Sequence, residues 1–177
     1  MKFMTRWWLA RRLGLCLTLA MLALLLPAGL AHAQATVFGF ELQQRLTGTT
    51  ALPECLPPDL VGTQTGTETT VGQVTDSGHS FQIHGTTTLE YQVVFPDGRY
   101  VVGTAVEHFT FIATVPQTVT TMTIQERRTI YSAEGQPIGE VRIHAVSHVT
   151  VRDANDNGEP DPGEITANVD RFFFTCQ

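Results

Sequence analysis

The sequence predicts an all-β protein built as an antiparallel meander. Three observations carry that expectation. From residue 80 onward apolar side chains recur with a period close to two, threonine and valine dominate the same stretch, and no helical spacing persists beyond a turn or two. Because a strand sends successive side chains to opposite faces, this period describes a sheet with two distinguishable surfaces.

In chain order, the first strand signals lie near Val37–Leu42 and Thr67–Val74. Leu52–Gly66, with Pro53, Pro57 and Pro58, reads as a non-regular connection tied down by Cys55, and Asp76-Ser77-Gly78 as a turn. Leu89, Tyr91, Val93 and Phe95 then alternate up to Pro96-Asp97-Gly98-Arg99, whose turn chemistry makes a hairpin with the strand that starts at Tyr100. The returning strand puts Val101, Gly103, Ala105, Glu107, Phe109, Phe111 and Ala113 on one face, so Glu107 interrupts its most aromatic side. After Pro116 a Thr-rich strand covers Thr118–Ser132, Glu134-Gly135-Gln136-Pro137 turns it into Ile138–Arg152, and a final strand covers Ile165–Cys176. Long strands with two partly apolar faces fit a curved sheet, so a barrel or half-barrel is favoured over a two-sheet sandwich in which the first two strands form the second layer.

Residues 1–33 read as an export signal: Lys2, Arg6, Arg11 and Arg12 precede an apolar run over Leu13–Leu26, and Ala31-His32-Ala33 is a small-residue cleavage site. Cleavage there leaves residues 34–177 as a single β domain, outside the membrane, in a secreted location that is extracellular or periplasmic. The leader holds four of the eleven basic residues and none of the seventeen acids, so the remaining chain has seven arginines, no lysine and a formal charge of −10. That charge opposes a nucleic-acid partner, and the lack of lysine excludes Schiff-base and lysine-nucleophile chemistry. Cys55 and Cys176 are the two cysteines left, and in an oxidising compartment they are expected to pair.

Asp153-Ala154-Asn155-Asp156-Asn157-Gly158-Glu159-Pro160-Asp161-Pro162-Gly163-Glu164 matches D-x-[DN]-x-[DN]-G-x5-E at every specified position. The spacing lets one chain coil round a Ca²⁺ ion that takes six to eight oxygens. Asp153, Asn155 and Asn157 would each supply a side-chain oxygen, Glu159 its carbonyl, Asp161 a carboxylate and Glu164 both carboxylate oxygens, with Gly158 permitting the sharp reversal. These twelve residues resemble the calcium loops of EF-hands and dockerins, and more closely the Asp-x-Asn-x-Asn-Gly-x-x-Asp-Pro-Gly-Glu loops in B-type repeats of bacterial surface adhesins. The resemblance implies calcium binding and an extracellular role, and it stops at this loop. Pro160 stands where paired EF-hands keep an aliphatic residue whose backbone bridges to a partner loop, and it has no N–H to donate. The period-two flanks, Val141 to Val151 before the loop and Phe172 and Phe174 after it, place the loop between strands. It is therefore expected to fasten the last two strands rather than to move helices.

Other candidates read as structure. Asp76-Ser77-Gly78-His79 lacks the upstream His and Asp that a trypsin-like protease requires, so it is a turn. His144 and His148 have zinc-like helical spacing, but on a strand their Cα atoms lie about 13 Å apart. Glu107 invites two readings: an ion pair with an arginine such as Arg128 or Arg142, or a polar group inside an apolar barrel cavity. No catalytic constellation is found. The functional expectation is a secreted, calcium-stabilised protein of structural or interaction type, acting at or outside the cell envelope, with the identity of any protein or cell-envelope partner left open by the sequence. The alternative is a small-molecule-binding barrel, or a cofactor-free isomerase, centred on Glu107.

Overall fold

Threonine and valine side chains, branched at Cβ, suit a pleated surface, and they dominate strands long enough to cross the molecule. The computed structural model describes residues 35–52, 55, 56, 60–114, 117–153 and 164–177. It contains seven strands: β1 Thr36–Ala51, β2 Val61–Asp76, β3 Ser80–Val94, β4 Tyr100–Thr114, β5 Gln117–Tyr131, β6 Pro137–Arg152 and β7 Ile165–Cys176. Each pairs antiparallel with the next in a single sheet of order β1-β2-β3-β4-β5-β6-β7. Residues 34–177 group as one compact unit. The proposed leader at residues 1–33 lies outside the described residues.

The all-β meander is as the sequence predicts, and two details differ. The segment from Val61 to Gly66 belongs to β2, although Leu52–Gly66 reads as irregular; its threonines pair across to β1, and the three prolines lie before it. The sheet is also open: among the described residues neither a closed barrel nor a second layer forms. A meander of seven strands leaves β1 and β7 running in the same direction, so closing it would require one parallel ladder in an otherwise antiparallel sheet.

The turns follow from their residues. Phe95 donates its N–H to the Arg99 carbonyl (2.9 Å), and Gly98 donates back to Phe95 (3.0 Å). Ser132, Gly135 and Gln136 repeat the pattern at the next hairpin on the same end of the sheet, at 2.8 and 3.0 Å. Both need a left-handed residue in fourth place, and glycine supplies it, with φ of 86° at Gly98 and 82° at Gly135.

One face of the sheet carries the core. Val93, Phe95, Val101, Ile130, Val141 and Ile143 pack together with Tyr91 and Leu52, and Leu56 and Leu60 of the β1–β2 connection close over them. Cys55, in that connection, is joined to Cys176 at the end of β7, with Cα atoms 5.9 Å apart. Six inter-strand gaps would separate β1 from β7 by about 29 Å in a flat sheet. Cys55 is four residues past the end of β1, a reach of about 14 Å. The sheet is therefore rolled at this end, and the face carrying the core is the concave one. The candidate calcium loop lies at the opposite end, with the β2–β3 and β4–β5 connections.

Candidate functional site

The hairpin that carries the calcium pattern is built by the β6–β7 ladder. Val151 pairs with Ile165, a bulge follows Thr150, and the Arg152 N–H donates to the Glu164 carbonyl at 2.9 Å. Pairing thus draws together the first and last positions of the twelve-residue pattern, Asp153 and Glu164. Glu164 is 7 % exposed, whereas the β7 residues after it are largely exposed. A carboxylate is costly to enclose without a compensating charge or hydrogen-bond donors, so its burial marks a place where one end of the loop is held inward. Asn155, Asn157, Glu159 and Asp161 lie outside the described residues. Among the described residues no three His, Cys, Asp or Glu side chains gather as a metal site.

The second predicted site residue, Glu107, is 9 % exposed on the concave face, and its Oε2 is enclosed by protein. Register places it between Thr87 on β3 and Ile124 on β5. Thr87 in turn shares a buried hydroxyl–hydroxyl hydrogen bond of 2.9 Å with Thr70. His108 points to the other face, against Thr86 Oγ1 at 3.0 Å, so these adjacent residues do not form a dyad. His148 likewise binds Thr121 Oγ1 through Nδ1 at 2.9 Å.

Between Glu107 and the core lies a polar cluster that sequence reasoning did not assemble. The Tyr91 hydroxyl donates to Glu126 Oε1. Arg128 Nε donates to the same carboxylate oxygen at 2.8 Å and to the Tyr91 oxygen at 2.9 Å. The three residues are 6, 8 and 7 % exposed. Burial pushes the Tyr91 hydroxyl far above the ordinary phenol range; the Glu126 charge adds to the rise and Arg128 opposes it. Tyr91 is therefore a fixed donor to Glu126 and an acceptor from Arg128. A signal for the cluster was present: Ile124, Glu126, Arg128 and Ile130 occupy alternate positions of one strand, so the charges had to share the buried face of the isoleucines.

Glycines give the aromatic rings their places. A Cβ on Gly103 would lie 2.3 Å from Tyr91 Cζ, one on Gly85 would lie 2.6 Å from Phe109 Cζ, and one on Gly72 would lie 2.4 Å from Phe40 Cζ. Each ring lies over a glycine on the neighbouring strand, which removes the steric obstacle to close approach. Away from the core, arginines lower carboxyl pKa values. Arg99 holds Asp97 below the usual carboxylate range, and Arg142 with Arg127 does the same for Glu140. These pairs are solvated and mark no site.

No protein-family model, curated protein or solved structure matches this chain.

Proposed function

We propose that this chain is an exported, calcium-stabilised β protein of structural or interaction type, in which one Ca²⁺ ion bound by Asp153, Asn155, Asn157, Glu159, Asp161 and Glu164 clips β6 to β7. The observation that carries the reading is the complete twelve-residue pattern, with Asp153 and Glu164 brought to the mouth of a two-stranded hairpin and Glu164 buried there. Support for export comes from the basic-apolar-small pattern of residues 1–33, and the acidic, lysine-free remainder opposes a nucleic-acid partner. The ion acts as a fastening. Strands flank the loop, so binding has no helix pair to open and contributes stability instead.

The alternative centred on Glu107 required a closed barrel round an apolar cavity. Among the described residues the sheet is open and gives Glu107 no such enclosure.

With a dissociation constant near 0.1 mM, millimolar calcium would add about 1.4 kcal/mol of stability, a rise in melting temperature of roughly 3–5 °C for a domain of this size. Differential scanning calorimetry with calcium and with chelator measures it. Glu164→Gln, which removes the bidentate carboxylate, is expected to abolish the rise. A wild-type melting temperature that ignores chelator refutes the clip.

A further inference from the structure

The outer edge of β7 is the least covered part of the sheet. Gln177 and Glu140 exchange both backbone hydrogen bonds, each 2.9 Å. Exchanging pairs alternate with non-bonded pairs along an antiparallel ladder, so Thr175, Phe173, Arg171 and Val169 are the β7 residues bonded to β6. The backbone N–H and C=O groups of Asp170, Phe172, Phe174 and Cys176 consequently point away from β6, and among the described residues no strand pairs with them. Over the same stretch Phe172, Phe173 and Phe174 are 51, 59 and 50 % exposed. Two of these rings lie on the concave face and one on the convex face. β7 contains neither the lysine nor the proline that commonly blunts an edge.

We propose that β7 pairs antiparallel with β7 of a second copy of this chain, about a two-fold axis at Phe173. In that register Phe173 faces its own symmetry mate, Phe172 faces Phe174 of the second copy, Arg171 faces Thr175 and Asp170 faces Cys176. The hydrogen-bonded pairs are then formed by the residues whose backbone groups point outward. Phe173 occupies a non-bonded pair, where cross-strand side chains approach most closely. An axis at Arg171 or Asp170 would instead set like charges opposite each other, whereas the Phe173 axis gathers all six rings.

The area is of the right order. Half-exposed phenylalanines offer about 100 Å² each, so the six rings can contribute up to about 600 Å² to the interface, to which the ladder and its flanking side chains add. A specific interface needs a total of about 1,000 Å². The other edge is a poorer match: in β1 the exposed apolar run gives way to Gln43, Gln44 and Arg45, and Phe40 already covers Gly72.

Sedimentation velocity of the purified protein through the micromolar range tests the proposal, with a concentration-dependent monomer–dimer equilibrium expected. Phe173→Arg places like charges across the axis and is expected to weaken the dimer about tenfold or more, while Phe38→Arg on β1 leaves it intact. Phe173→Cys is expected to give a covalent dimer on oxidation and Thr175→Cys none, which reads the register separately from the charge variant. A monomer at every concentration overturns the proposal. So does a dimer indifferent to Phe173→Arg, one lost in Phe38→Arg, or one cross-linked through Thr175→Cys and not Phe173→Cys.

Discussion

A methyl group on Gly103 would sit 2.3 Å from Cζ and 2.6 Å from the hydroxyl oxygen of Tyr91. To reach van der Waals contact the ring must retreat by about an ångström. That movement carries the hydroxyl away from Glu126 and Arg128, both of which stay buried. Two costs add in Gly103→Ala. Forcing a methyl into a filled space costs about 1–3 kcal/mol, and losing hydrogen bonds to charged groups costs about 1.5–3 kcal/mol. Reduced freedom of the unfolded chain returns about 0.4–1 kcal/mol, leaving a net loss of about 3 kcal/mol. Gly39→Ala is the control, because its added carbon would meet nothing closer than the Gly72 carbonyl oxygen at 3.7 Å. It should be neutral or slightly stabilising. Urea unfolding with unchanged m-values measures both, and in a Tyr91→Ala background the cost of Gly103→Ala should largely vanish. If Gly103→Ala is as stable as the wild type, or is equally harmful without Tyr91, the account of this ring and its cluster is wrong.

Two further predictions come from the same frame. Replacing Cys55 and Cys176 by serine releases a constraint spanning 121 residues, and the chain-entropy relation places the loss at about 5 kcal/mol, to be read from chemical denaturation in the absence of reductant. The elevated pKa of Tyr91 means that its proton is held more tightly in the folded than in the unfolded chain. Its contribution is fully present below the unfolded phenol pKa of about 10 and declines as pH rises above that value. Alkaline titration followed at 295 nm should therefore show a tyrosinate step that coincides with loss of the far-UV circular dichroism signal and is missing from Tyr91→Phe. A step that appears while the sheet is intact contradicts the burial argument.

How far the sequence could be read depended on whether the relevant physics was local. Side-chain alternation is local, so the hairpins at Pro96–Arg99 and Glu134–Pro137 and the strands they join were legible, as was the sharing of one face by Glu107, Phe109 and Phe111. Val61–Gly66 was not legible. Its Gly-Thr-Gln-Thr-Gly composition lacks the apolar alternation of a strand, and its conformation comes from lying between β1 and β3. Closure depends on a global count: nothing within any single strand states that the total is odd. The cluster of Tyr91, Glu126 and Arg128 was half legible, because alternation assigns each residue to the inner face while only the β3–β4–β5 register brings them into contact. The calcium pattern was read from the chain alone, and the structure adds the convergence of Asp153 and Glu164 at the hairpin mouth.

Every ladder in this sheet joins strands that are neighbours in sequence, so cohesion passes from strand to strand as it does between the units of a repeat array. A linear array loosens from its ends at little cost, because each terminal unit has one neighbour to lose. The bond between Cys55 and Cys176 ties the connection beside one terminal strand to the tip of the other. With that tie in place, detaching β7 at its tip also strains the packing of Leu52, Leu56 and Leu60 on the core, and fraying at one edge is felt at the other. Amide exchange in β1 and in β7 should accordingly slow together when the cysteines are oxidised, making cooperativity in this sheet a redox-dependent property.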